Sequence, residues 1–599
     1  MLHGEDLHDY SKEEDDLGKI YDRVLIKRLY AYMKPYRRQV VLILFLNLGS
    51  TCGQLAGPLL MRYGIDRYIK VGSLDGLSGI ALLMILAMLA DMVFSYFEEY
   101  RLQMLGQRVM YDLRMGIFSH LQKMEVGFFD RNPVGRLMTR VMGDVQVLNE
   151  LFTSGVITIF TILIKIVGIM VIMLYMNWKL ALAMFTVLPI IFGATTVYQI
   201  YSRRAFRDQR KHLARINAFL QENIVGMTTV QLFAQERRNF LKFDQRNQAY
   251  LQAGLRSVFY FSIFFPLIEV AGSLGTAIIV WYGGVQSLKG MLTFGDLVAF
   301  IQFSQRLFWP IRELSEQYTI FQSAMASSER IFDLLDKQPA IVNADKPKGL
   351  EAMKGEIEFQ NVWFAYEDDN YVLRDISFKV NPGETVAIVG QTGSGKTSII
   401  NLLCRFYEIN RGRILIDGVE IRDLRLYDLR RAISIVQQNI FLFSDTVDNN
   451  LRLGADDITP DQAVAAAKHV HLDPFVQKMP DGYATEVKEG GSALSVGQKQ
   501  LVAFARALAF NPDILILDEA TSSVDTETEG LIQDGIKRLM ANRTSIVVAH
   551  RLSTIRNADK ILVMHRGKIR EIGTHTELLQ RQGIYYRLYQ LQYKGQEIA

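Results

Sequence analysis

From Val40 to Met61 no side chain carries a charge, and a helix of that length, rising about 1.5 Å per residue, crosses a hydrocarbon layer about 30 Å thick. The run is expected to span a membrane, which limits the chain's possible folds more than any other feature does. Comparable runs follow at Leu77–Ser95, with Asp91 inside it, and at Ser154–Met176, with Lys165. Three more lie at Leu180–Tyr201, at Val258–Tyr282 with Glu269, and at Phe294–Ile311 with Asp296 and Arg306. Six spans are therefore expected, and after about Ser327 the composition becomes that of a soluble α/β protein. Hydrophobic residues at 49% against 22% charged exclude a disordered tail or a soluble coiled coil.

Lys and Arg set the expected orientation. They crowd the N-terminal flank (Lys27, Arg28, Lys34, Arg37, Arg38) and the stretch before the fifth run (Arg203, Arg204, Arg207, Arg210, Lys211, Arg215), while Arg62, Arg67, Lys70, Lys179 and Lys289 are spread thinly over the other connections. Cytoplasmic loops carry the basic excess, so both termini are expected in the cytoplasm of a multi-pass protein of the cell membrane. The acidic opening lacks the basic start and apolar core of a signal peptide, and residues 1–22 read as a mobile tail. Between Arg23 and Tyr36, apolar residues at helical spacing beside Lys27, Arg28 and Lys34 suggest a helix lying in the headgroup layer. Residues 23–336 form the expected membrane domain. Within it, Tyr100–Glu150 and Ser202–Ser257 are amphipathic and charged, as if membrane helices continued into the cytosol. Lys165 and Glu269 fall near the middle of their runs, where an unpaired charge is costly; each is expected to face a cavity or the other.

Pro339, Pro347 and Gly349 among charges mark residues 337–354 as a linker, and the soluble domain is expected to occupy 355–599. A net charge of +4 is too balanced for a nucleic-acid partner. Cys52 and Cys404 are too few and too far apart for a disulfide scaffold or a cysteine-built zinc site.

The soluble part carries the chemistry. Val386-Ala-Ile-Val389 reads as a strand, followed by Gly390, Gln391, Thr392, Gly393, Ser394, Gly395, Lys396, Thr397 and Ser398 and then an apolar helical run. This is a phosphate-binding loop in its required context. Glycines let backbone N–H groups curl around phosphate oxygens, Lys396 reaches the β and γ oxygens, and Thr397 ligates Mg²⁺. Downstream, Ile514-Leu-Ile-Leu517 ends in Asp518, placed to hold Mg²⁺, and Glu519, placed to deprotonate water. ATP and Mg²⁺ are the expected cofactors.

Leu494-Ser-Val-Gly-Gln498, Asp518-Glu-Ala-Thr-Ser522, Ser522-Ser-Val-Asp525 and Ala549-His-Arg-Leu552 resemble the signature motif, Walker B, D-loop and H-loop of an ABC-transporter ATPase. Six spans before one such domain resemble an ABC exporter half-transporter, and Phe128-Phe-Asp-Arg-Asn-Pro-Val-Gly-Arg136 resembles that family's first cytoplasmic excursion. The resemblance covers nearly the whole chain. The fold it implies is an α-helical six-span transmembrane domain with long cytoplasmic extensions, followed by an α/β P-loop ABC ATPase domain.

The resemblance also implies roles residue by residue. Tyr366 would stack on adenine, Gln438 would touch Mg²⁺ and the membrane excursions, Glu489 would face those excursions, and His550 would hold the γ-phosphate and the attacking water. Ser495, Gly497, Gln498 and Asp525 would complete a partner's ATP site, so the chain needs a second half-transporter. The family pattern has glycine where Val496 stands. With Glu519 present, the chain resembles the catalytic-glutamate subunit of heterodimeric exporters. The function implied is ATP-driven export of amphipathic drugs or lipids by alternating access. An ATP-gated channel or regulator is the competing reading, and a soluble ABC protein is excluded by the six runs.

Overall fold

In a computed structural model the described residues are 23–72, 74, 76–349, 353–367, 369–491, 494–518, 526–548 and 552–592. The expected tail, residues 1–22, lies outside them. The chain divides into two compact units, Met1–Gln122 with Val134–Lys337, and Lys123–Pro133 with Gln338–Ala599.

The first unit is helical. The helix Leu77–Leu121 has 45 residues and so runs to about 68 Å, more than twice the hydrocarbon thickness; its charged second half must leave the bilayer. The helices Leu188–Val225, Glu236–Ile278 and Phe294–Asp336 likewise run from apolar into charged sequence or the reverse. Among the described residues four stretches are long and apolar enough to cross a membrane, Arg23–Ile69, Leu77–Leu121, Val134–Phe185 and Glu236–Leu288, against six apolar runs in the sequence. A break separates the third run from the fourth. Asn177 leaves helical geometry at φ −159° and ψ 103°, and its Oδ1 accepts the Leu180 N–H at 3.0 Å, capping a new helical segment. That segment ends at Phe185, and the next begins at Leu188 with Pro189 in its first turn. The sixth run lies in a helix opened by a Thr293–Asp296 capping box and carries both Asp296 and Arg306.

Inter-helix polar contacts bear on the two mid-span charges. No ion pair joins Lys165 to Glu269 among the described residues. Lys165 acts electrostatically on Glu98, whose carboxylate accepts from Asn47 Nδ2 at 2.6 Å, while the same amide reaches Thr161. Glu269 is exposed. Asp91 is held on one oxygen by Ser50, Gln54 and Ser95, the hydrogen-bonded packing expected of polar residues between membrane helices.

Two further contacts tie the unit together. Arg28 donates twice to Asp336 at 2.6 Å and lies 4.2 Å from the Phe332 ring centroid, which fixes the N-terminal helix Arg23–Met33 to the end of Phe294–Asp336. Buried Asp144 accepts from Arg330 at 2.5 and 3.1 Å and from Ser327 at 3.0 Å. Asp144→Ala is expected to cost about 2 kcal/mol, less than a fully buried pair because Arg330 is half-exposed. Thermal unfolding in detergent reads this, and an unchanged midpoint would mean that the contact contributes nothing.

The second unit is built on ten strands among the described residues: β1 Ile357–Ala365, β2 Tyr371–Val380, β3 Thr385–Gly390, β4 Arg411–Ile416, β5 Val419–Glu420, β6 Ile433–Val436, β7 Ile514–Asp518, β8 Thr544–Val548, β9 Lys560–His565 and β10 Lys568–Gly573. A four-stranded antiparallel sheet has the order β2-β1-β4-β5, and a six-stranded sheet the order β10-β9-β3-β8-β7-β6. In the latter, β9, β3, β8, β7 and β6 are parallel. Alternation along each strand sends Ala387, Val389, Leu515, Leu517 and Val547 to one core and Val386, Ile388, Ile514, Ile516 and Ile546 to the other. Burial on both faces is why these strands read as unbroken apolar runs. Cys404 belongs to the second core, and burial pushes its thiol up to about 12.

Candidate nucleotide site

The parallel strands bring the site together at their C-terminal edge. Register pairs Ile388 with Val548, Asp518 with Val548, and Val436 with Leu517, so four strands end nearly level. Beyond β3 comes the loop 390–395, at the tip of β7 stands Asp518, and just beyond β6 is Gln438, which is exposed. In open parallel sheets this edge is where ligands bind. Glu519, Asp525 and His550 lie outside the described residues, as does the side chain of Glu489.

The loop 390–395 fits a phosphate chain. Gly393 and Gly395 take φ of +80° and +102°, left-handed geometry that glycine tolerates. A Cβ on Gly395 would also stand 2.5 Å from Leu373 Cδ2. The helix Lys396–Leu403 starts directly after the loop, adding its positive end. Lys396 is only 8% exposed, and its Nζ donates to the carbonyls of Gly390 at 2.8 Å and Gln391 at 3.2 Å. Burial pulls its amine below the ordinary lysine value, and the charge of Asp518 opposes that fall. Ser394 Oγ is buried without a partner. A buried cation, an orphaned hydroxyl and an acid within electrostatic reach suit a bound phosphate–Mg²⁺ group. Gln391, Thr392 and Thr397 are exposed at the loop, and Ser398 is buried beneath it.

Tyr366 follows β1 and is 40% exposed. Its hydroxyl lies 3.0 Å from Ser398 Oγ, and its ring meets Phe364 edge to face at 4.7 Å, leaving an aromatic surface open beside the loop.

Ser495 and Gln498 have a local role that the motif alone did not reveal. They form a reciprocal capping box, Gln498 N–H to Ser495 Oγ at 3.2 Å and Ser495 N–H to Gln498 Oε1 at 3.0 Å, at the start of the helix Val496–Ala509. Gly497 is buried, and Val496 is 52% exposed. Val496 is the first helical residue and has no positive φ, so a β-branched residue is accommodated by the backbone here. What remains of the departure is two exposed methyl groups.

Sequence reading missed the supports of the phosphate loop. The β9–β10 turn braces it, with the Gly567 N–H donating to Ser394 O at 3.2 Å and the Gly567 carbonyl accepting from the Arg374 N–H at 2.8 Å. The paired Arg566-Gly567 turn, with both φ positive, was the available signal.

Comparison with known proteins adds the following. Residues 40–311 match the family model described as the ABC transporter transmembrane region, and residues 373–522 match the one described as ABC transporter. The uncharacterized ABC transporter ATP-binding protein YknV of Bacillus subtilis is 39% identical over 98% of this chain and 97% of its own. An ATP-dependent lipid A-core flippase of Syntrophus aciditrophicus is 36% identical over 96% of each. YgaD of Bacillus subtilis, provisionally named a multidrug export ATP-binding/permease protein, is 35% identical over 95% of this chain and 99% of its own. The structure of a bacterial Atm1-family ABC exporter with ATP bound superposes with a TM-score of 0.76 at 30% identity, covering 93% of this chain and 98% of that one.

Proposed function

The chain belongs to the ABC transporter family, as an ATP hydrolase coupled to transport across a membrane, and from that premise we propose that it is one half of an exporter for amphipathic or hydrophobic compounds. The observation that carries the proposal is the meeting of the phosphate loop, Asp518 and Gln438 at one sheet edge, in a chain whose other half is long apolar helices. The spans number six, the termini and the ATPase domain are cytoplasmic, and drugs or lipids are the substrates. The names of the flippase and of YgaD favour that class.

In the proposed site Lys396 and the backbone N–H groups of 390–398 grip the phosphates, Tyr366 carries the base, and Glu519 takes the proton of the attacking water. Mg²⁺, held by Thr397 and Asp518 with Gln438 beside it, would offset charge on the transferring phosphoryl group. His550 holds the water and the γ-phosphate in line. Ser495, Gly497, Gln498 and Asp525 close over the partner's nucleotide, so the working unit is a dimer of half-transporters, with a heterodimer favoured. Closure of the two ATPase domains turns the spans from inward-open to outward-open. Turnover of Mg-ATP by the assembled transporter in nanodiscs, stimulated by an amphipathic dye, tests this; no stimulation by any amphipath would count against it.

Glu269, exposed near the middle of its span, is in this reading the acid that meets a cationic group. Glu269→Gln is expected to raise KM for a cationic dye by about tenfold and to leave a neutral amphipath unaffected. Equal loss for both, with a lower melting temperature, would make Glu269 structural.

A further inference from the structure

Tyr407 follows the helix Lys396–Leu403 and belongs to none of the nucleotide motifs. Its ring meets the Tyr366 ring edge to face, with centroids 5.0 Å apart and planes at 88°, and lies 5.7 Å from Phe364. Its hydroxyl donates to Asp130 Oδ2 on the short helix Val126–Arg131. That helix approaches so closely that a Cβ on Gly127 would stand 2.8 Å from Tyr407 Cε1. A second bond holds the same segment, from the Ala340 N–H to Glu125 Oε2 at 3.0 Å. Burial first, and then the bond to Asp130, keep the Tyr407 phenol above its ordinary value, so it stays protonated and able to donate.

Residues 123–133 pack with the ATPase unit, yet the chain continues from them at both ends into helices of the membrane unit. The segment therefore joins those helices covalently to the ATPase unit. The contacts form one series: the open face of Tyr366, its edge against Tyr407, the Tyr407 hydroxyl, and Asp130.

We propose that Tyr407 is a positioning residue through which the membrane helices sense the nucleotide base rather than its phosphates. A base seated on Tyr366 fixes that ring, the ring fixes Tyr407, and Tyr407 steadies Asp130 and the helix Val126–Arg131. The inference rests on the reading of Tyr366 as the base platform. Phosphates alone fill the loop 390–398 without engaging this series.

The test uses the full-length assembled transporter in nanodiscs, with Mg-ATPγS and Mg-tripolyphosphate as probes and amide hydrogen exchange of residues 123–133 as the readout. In the wild type, saturating ATPγS should slow that exchange by about tenfold, and saturating tripolyphosphate by less than about twofold. Tyr407→Phe keeps the ring and removes only the hydroxyl. It should reduce the ATPγS response to that of tripolyphosphate, with ATPγS affinity and thermal unfolding unchanged. Asp130→Ala should do the same, whereas Asp130→Asn, whose amide oxygen still accepts the bond, should keep the wild-type response. A full ATPγS response in both Tyr407→Phe and Asp130→Ala would overturn the inference, as would an equal response to tripolyphosphate in the wild type. The platform reading is checked apart from this: Tyr366→Ala should weaken ATPγS and spare tripolyphosphate, and unchanged ATPγS affinity would remove the premise and the inference with it. None of these readouts requires transport, so the inference can fail while the exporter reading stands.

Discussion

Glu519→Gln in the assembled transporter should leave ATP affinity within about twofold of wild type and lower turnover by on the order of a hundredfold or more, the usual effect of removing a general base. The phosphate loop with its buried Lys396, the Tyr366 ring and Asp518, the proposed metal ligand, are untouched by the change. Glutamine fills the same space but cannot take the proton, so nucleotide accumulates with the ATPase domains closed. Radiolabelled ATP hydrolysis and filter binding on one preparation separate the two quantities. Hydrolysis at the wild-type rate would remove Glu519 from its assigned role.

The chain purified alone should hydrolyse ATP at least about tenfold more slowly than the chain assembled with a related half-transporter encoded beside it, because in the proposed dimer each working site takes its signature motif from the other subunit. Val496 is the reason to expect an unlike partner. It stands at the head of a helix, 52% exposed, and its branched Cβ would present methyl groups where, in the proposed dimer, the partner's γ-phosphate approaches. The Ser495–Gln498 capping box holds the helix start in place, so the proposed effect of Val496 is steric rather than conformational. In the heterodimer this chain's phosphate loop and Glu519 would work against an intact signature, while its own signature covers a slow site. A stable homodimer with strong substrate-stimulated activity, unchanged by Val496→Gly, would contradict the asymmetric arrangement.

The phosphate loop was legible because its function is local: strand, glycines, lysine and helix follow one another in the sequence and stay together in space. Asp518 was legible for the same reason, as the acid at the end of an apolar strand. Tyr407 was not, because its partner Asp130 is 277 residues away and an aromatic after a helix reads as packing. Lys165 and Glu269 show a different limit. Hydropathy located both at mid-span, but which helix faces meet depends on packing, and an acid that feels the Lys165 charge is Glu98, just past the end of the apolar run it follows. The interruption at Asn177 was readable, since it falls in the connection expected between the third and fourth apolar runs, where asparagine before a helical run is a capping signal. The support that the β9–β10 turn gives Ser394 is a tertiary contact with no sequence pattern of its own beyond the Arg566-Gly567 turn.

Export driven by ATP hydrolysis is the central claim, and proteoliposomes test it most directly. With the ATPase domains facing outward and the correct partner present, Mg-ATP should drive an amphipathic dye into the vesicles against its gradient, Glu519→Gln should abolish that accumulation, and ATPγS should not support it. Dye movement that only runs down its gradient, and that ATPγS opens as well as ATP does, would show a gated channel and contradict the account.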